Sequence, residues 1–120
     1  MKKLLYVLMA LCFSSCLSSL HKQTFKVAES SQTGDVCLLS FEEVNWIAYG
    51  AQVQNNTDFE IQHVAFRIVY YDKAGNQIDY DDVETHCSID AHMTRMLSVT
   101  KLSSSQADFD CAVVEITQFD

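Results

Sequence analysis

The chain has 120 residues, 48% of them hydrophobic and 20% charged, with a formal net charge of −8. That length holds one domain and excludes an enzyme with separate cofactor and substrate domains; the apolar content excludes a disordered chain, and zero prolines with three glycines exclude a collagenous or linker-like one. The acidic excess argues against a nucleic-acid binder, which carries a basic face for phosphates.

In chain order, the first segment is a leader. Lys2 and Lys3 make a cationic start, and residues 4–13 are an uninterrupted apolar run. Ten helical residues rise roughly 15 Å, about half of a bilayer core. The run is a secretion signal by this measure and not a membrane span. Phe13, Ser14 and Ser15 then lead into Cys16. Small residues directly before a cysteine resemble a bacterial lipoprotein lipobox, with Phe13 where that family usually has Leu. The resemblance implies cleavage after residue 15, acylation of the Cys16 sulfur and a lipid-anchored chain in the cell envelope. Leu17, not Asp, follows the cysteine, which under the proteobacterial sorting rule implies the outer membrane. Loss of Lys2 and Lys3 leaves six basic and sixteen acidic residues, a net charge of −10. Anionic headgroups repel such a chain, so the membrane is expected to hold it through the lipid anchor only. Residues 16–34 are rich in Ser, Gln, Thr and Lys; they read as a tether, with a short strand at 24–27 its one element.

From residue 35 the pattern is β. Residues 36–41 form a first strand. Residues 46–54 alternate, with Ile47, Tyr49, Ala51 and Val53 on one face. Asn55, Asn56, Thr57 and Asp58 are a turn cluster. Residues 61–71 alternate again, with Val64, Phe66, Ile68 and Tyr70 on one face and Arg67 on the other. Residues 72–76 read as a hairpin loop in which Gly75 is free to take a positive φ. Residues 77–84 form a fourth strand. Its Ile78 and Tyr80 alternate with Asp79 and Asp81 until Asp82 breaks the phase, a charged irregularity that suits a sheet edge. Residues 93–100 and 109–119 are the last two strands, joined by a Ser-rich loop at 101–108 with room for one helical turn. Six to seven short strands without a long helix predict an antiparallel, immunoglobulin-like β-sandwich over 35–120. The alternating phases predict a core of Tyr49, Ala51, Val53, Val64, Phe66, Ile68, Leu97, Val114 and Ile116.

Residues 49–57 followed by 64–75 carry a family resemblance. An apolar strand ends in Asn55, a turn follows, and a second apolar strand ends in Tyr71-Asp72 before a Gly75-containing hairpin. This looks like the FxLYD-type domain, an immunoglobulin-like sandwich common in bacterial lipoproteins. The likeness covers about residues 47–100. The family often has Gly where Ala51 stands, and Pro and Gly in the loop where this chain has residues 88–92. The resemblance implies an extracytoplasmic accessory module and no catalytic residues. Residues 107–111, Ala-Asp-Phe-Asp-Cys, are weakly similar to the immunoglobulin segment with an aromatic two residues before a core cysteine, although Phe109 lacks the corner hydroxyl.

Three cysteines remain in the folded part. Alternating strand directions put Cys37 and Cys87 at one end and Cys111 at the other, which favours a Cys37–Cys87 disulfide with Cys111 left as a buried thiol. A cross-sheet Cys37–Cys111 bridge is the rival. His86, Cys87 and His92 are close in sequence, yet adjacent strand residues point to opposite faces and no paired-Cys zinc spacing is present. Asp79, Asp81, Asp82 and Glu84 lack an EF-hand spacing and read as a solvated edge. Cys87 or Cys111 with His63 or His92 is the one conceivable thiol and base pair, and nothing in the sequence orders it. No metal or other cofactor is expected, and no catalysis. Among the aromatics Trp46, Tyr49, Tyr70, Tyr71 and Tyr80, alternation buries one of Tyr70 and Tyr71 and leaves the other as a contact candidate. The reading is a lipid-anchored binding or scaffolding module for an unknown envelope protein, with contacts from Tyr70 or Tyr71 and from the loops of Asn55, Asn56 and Asp58 and of residues 88–92. The alternatives are a small periplasmic metal- or thiol-handling protein using the Cys and His residues, and a spacer with no specific partner. Neither the partner nor the oligomeric state is legible.

Overall fold

A computed structural model describes residues 24–102 and 109–120. The leader, Cys16 and most of the Ser-rich loop lie outside the described residues. Seven strands follow in order: β1 (Thr24–Val27), β2 (Val36–Glu43), β3 (Ala48–Asn55), β4 (Ile61–Tyr71), β5 (Gln77–Ile89), β6 (Thr94–Thr100) and β7 (Cys111–Phe119). A 3₁₀ turn at Glu29–Gln32 sits between the first two. One sheet has the order β1-β7-β4-β5 and the other β2-β3-β6. All pairings are antiparallel except β1 on β7, which is parallel. The chain is an all-β, immunoglobulin-like sandwich. β1 lies beside β2 along one flank, and β5 beside β6 along the other.

Alternation does most of the work. In β3, Tyr49, Ala51 and Val53 face inward; in β4, Val64, Phe66, Ile68 and Tyr70 do; Leu97 and Val114 meet them from β6 and β7. Ile116 packs against this core only partly buried, because the β4–β7 register slips beside it, where Phe66 pairs with Ile116 and Ala65 with Gln118. β2 needs a bulge. Leu38 and Phe41 are both buried though three residues apart, and the register shift between Leu38 and Ser40 turns the extra residue, Leu39, outward. At one end the rings of Phe25, Phe41, Tyr49 and Phe109 cluster, with centroids 4.9 Å apart for Phe41–Tyr49, 5.2 Å for Phe25–Tyr49 and 5.5 Å for Phe25–Phe109.

The structure moves three boundaries. The folded part includes residues 24–34 and does not start at residue 35, since β1 pairs with β7 and the buried Ser31 accepts a 2.8 Å hydrogen bond from the Ile116 amide. Trp46 and Ile47 leave the third strand and form a hairpin tip. The strand expected at 77–84 is β5 and runs on to Ile89.

In β5 the polar phase is the inward one. Ile78 and Tyr80 face solvent, while Asp81 and Val83 are buried. As expected, the strand is a sheet edge. Its inward Asp81 accepts a 2.7 Å hydrogen bond from the Tyr70 hydroxyl, and Tyr49 lies beside that hydroxyl. On the outer face Arg67 reaches both Asp82 oxygens at 2.8 and 3.1 Å and lies 4.7 Å from the Tyr80 ring centroid. Cation–π contact therefore shelters the aromatic that the core does not take. The 72–76 hairpin is closed by Asp72, whose Oδ1 accepts from the Ala74 and Asn76 amides at 2.9 Å, and Gly75 takes a φ of 84°.

Two tests address this core. Phe66 is fully buried, so Phe66→Ala is expected to cost about 3–5 kcal/mol in urea denaturation. Burial, together with the bond to Asp81, holds the Tyr70 proton far above its ordinary range, and burial raises Tyr49 as well. Below about pH 10 tyrosine is neutral in both folded and unfolded chains. Above it the unfolded chain loses protons that the fold keeps, so stability falls by about 1.4 kcal/mol per pH unit for each retained proton. Urea midpoints between pH 9 and 11.5 should show that fall, and Tyr70→Phe should flatten it.

Candidate functional site

The side chains singled out in the sequence divide between the two ends of the sandwich. β4, eleven residues long, spans about 33 Å of extended chain and separates them. Tyr70, Tyr71, the 72–76 hairpin and the start of β1 share one end, because Tyr71 pairs with Cys111 and Cys111 with Thr24. The turn after β3 and the turn after β5 share the other, because Ile61 pairs with Ile89. One contact surface combining Tyr71 with the Asn55 loop is therefore not built. Tyr70 itself is fully buried and belongs to the core; Tyr71, its neighbour, is half-buried on the outer side.

The distal end is organised by Asn55, which is fully buried and so is not the exposed contact the sequence predicts. Its side-chain amide nitrogen donates to the carbonyls of Phe59 at 2.8 Å, Ile89 at 3.0 Å and Asp90 at 3.2 Å. Its Oδ1 accepts from the Thr57 amide at 2.9 Å, with the Thr57 hydroxyl 2.5 Å away. Its backbone N–H donates to Met93 at 2.8 Å. An asparagine at a strand end is suited to this because one short side chain carries both donors and an acceptor for turn backbone. The result fuses the two loops into one unit. Asn56 is half committed as well, its amide donating to the Gly34 carbonyl at 3.3 Å and to the Cys37 sulfur at 3.4 Å.

What this unit presents is acidic. Asp58 stands almost fully exposed, 2.8 Å from His92 Nε2. Glu60 accepts from Ser88 and Gln62 at 2.7 Å each, and those two bonds hold its carboxyl below the usual range. Asp35, Asp90 and the Asp120 carboxyl lie at the same end, where His63 bridges Glu84 at 3.0 Å and Asp120 at 3.3 Å. Two apolar side chains sit among them, Phe59 and Met93, each 56% exposed. Sequence reasoning missed both; the signal available was an aromatic directly after a four-residue polar turn. His92 takes a φ of 63° in the turn after β5, a left-handed conformation that side chains other than glycine seldom adopt.

The three cysteines are in the thiol form, and the expected Cys37–Cys87 bridge is not made. Both lie at the same end of the sandwich, as strand direction implies. They lie on opposite flanks, Cys37 on β2 and Cys87 on β5, and Cys111 is at the far end. Burial, with Glu60 nearby, raises the Cys87 thiol, which points towards the Ile61 carbonyl at 3.7 Å; a protonated thiol is a poor nucleophile and a poor metal ligand. His63 and His86 pair across β4 and β5 with ring centroids 5.6 Å apart. Among the described residues no group of three or more His, Cys, Asp or Glu is arranged to hold a metal ion.

No family model, curated protein or solved structure matches the chain.

Asn55→Ala is expected to lower stability by about 2 kcal/mol, because the buried Ile89 carbonyl loses its side-chain donor while the Phe59 and Asp90 carbonyls keep only Thr57 and Met93. Asp58→Ala, at an exposed pair, should stay within about 0.5 kcal/mol. Thermal melts of the two variants side by side check the difference.

Proposed function

We propose that the chain is a lipid-anchored binding module of the bacterial cell envelope, held by acylated Cys16 at the outer membrane, that captures a basic partner protein at its distal loops without catalysis. One observation carries the reading: the Asn55-clamped loops hold Asp58, Glu60 and Asp90 around the exposed Phe59 and Met93 in a fixed arrangement. Rigid loops on a sandwich suit recognition, and apolar residues ringed by charge suit a protein contact better than a small ligand. The acidic excess steers a cationic partner, so the association rate falls as salt rises. A surface tether adds effective concentration to a weak site. The likeness to the FxLYD-type domain is in keeping with this.

Two measurements test it. Intact mass of membrane-extracted protein should show a chain starting at Cys16 with a diacylglyceryl-sized increment; an unmodified chain starting elsewhere removes the anchor. Crosslinking capture from intact envelope should then recover a basic protein from wild type, and Asp58→Lys with Phe59→Ser should weaken that capture at least tenfold while the melt is unchanged. Capture that survives both substitutions removes the site. Turnover or bound metal lost with Cys87→Ser would favour the thiol- or metal-handling reading instead.

A further inference from the structure

The proximal end carries the most exposed large apolar side chain described. Trp46 is 85% accessible at the β2–β3 hairpin tip, flanked by Val44 at 63% and Ile47 at 52%. The tip is a built turn. The Val44 and Asn45 amides both donate to the Ala48 carbonyl, at 3.1 and 3.3 Å. Asn45 Oδ1 accepts from the Ile47 amide at 2.9 Å, and the Lys101 amide donates to the Ile47 carbonyl at 2.9 Å, which brings the exposed Leu102 alongside. The apolar strip continues down the outer face of the sheet. There Gly50 leaves room for its neighbours: a Cβ on it would meet Val44 Cγ2 at 3.0 Å and Met96 Sδ at 3.6 Å. Exposed Val44, Trp46, Ile47, Met96 and Leu102 carry no charge, and the ion pair beside them, Glu43 with Lys101, is neutral as a pair. A rigid turn that holds a tryptophan and three aliphatic neighbours in solvent is costly unless something covers them.

The chain itself indicates what covers them. β1 runs parallel to β7, so Thr24 lies at the Cys111 end. β3 begins at this same end, where Ala48 pairs with Thr100 just ahead of the hairpin tip. The polypeptide therefore enters the domain at the Trp46 end. Cys16 stands eight residues before Thr24, and eight residues reach at most about 28 Å when fully extended. We infer that the Val44–Trp46–Ile47 tip seats in the headgroup region of the bilayer that holds the lipidated Cys16. The inference rests on the anchor proposed above and deepens it. Tryptophan favours that interface because its ring is apolar and its N–H needs a polar partner. The seat relies on no basic patch, in keeping with the acidic surface. It fixes the orientation of the sandwich, with the Asn55 loops facing away from the membrane.

Trp46 is the one tryptophan in the sequence, so its fluorescence reports this contact alone. Full-length processed protein, its acylation checked by intact mass, is reconstituted in phosphatidylcholine vesicles with and without bromine on the upper acyl chain. At least twofold quenching and a blue-shifted emission are expected, and Ile47→Asp should reduce the quenching by half or more with the melt unchanged. If the protein is acylated and floats with the vesicles but Trp46 is not quenched, the inference falls and the anchor stands. If the protein carries no acyl group, the anchor falls and takes the inference with it. A blue shift that follows protein concentration in the absence of lipid assigns the tip to a second copy of the chain, which also overturns it.

Discussion

One buried amide joins the two sheets at the distal end. Asn55 closes β3, in the three-stranded sheet, yet two of its three side-chain acceptors are carbonyls at the end of β5, in the four-stranded sheet. Turn backbone at the mouth of a sandwich normally finds water. Here the Ile89 carbonyl is drawn inward and takes a donor placed between the sheets, and the same amide adds a second donor to the Asp90 carbonyl, which also accepts from the Met93 amide. The positions of Phe59, Asp58, His92 and Met93 all follow, since each belongs to a loop fastened at this point. The binding surface is thus a by-product of how the sheets are closed, and a substitution at Asn55 acts on fold and surface together.

The opposite flank solves a different problem. β5 is a long edge strand, and the inward carboxylate of Asp81 marks it against pairing with a neighbour. That carboxylate survives in the interior because Tyr70 donates to it and Tyr49 backs Tyr70. Further along, the Thr85 hydroxyl donates 3.2 Å to the Ser98 carbonyl of β6, lacing the edges of the two sheets where they meet.

Much of this was legible in the sequence where hydropathy alone decides orientation. β3 and β4 alternate cleanly, and eight of the nine core positions read from the alternation are buried, with Ile116 partly so. The edge position of β5 was legible, but its inward face was not, for a physical reason. Its apolar Ile78 and Tyr80 mark the outer face, because an aspartate paired with a buried hydroxyl outweighs them, and a hydropathy pattern carries no information about partners. The cysteines fail similarly. Alternating direction gives position along a strand, but the flank on which a strand lies depends on sheet order, which no local pattern encodes. The same holds for β1, visible as a short strand in the sequence but not as a parallel partner of β7. Asn55 was singled out correctly as a turn residue and wrongly as a free one, since three of its bonds go to residues that only the fold brings near.

The placement of β7 has a kinetic consequence. It is the last described strand in chain order, yet it lies inside its sheet, flanked by β4 and by β1, the first described strand. The β2-β3 and β4-β5 hairpins can form as soon as their residues are available, but β1 has no partner in its sheet until β7 arrives, and β4 keeps one open side until then. Closure therefore waits on contacts between strands more than eighty residues apart, β1 and β7, the kind that slow β-sandwich folding. A chain threaded linearly through a narrow channel, residue by residue, would remain open until its final strand had passed, and would close only on the far side.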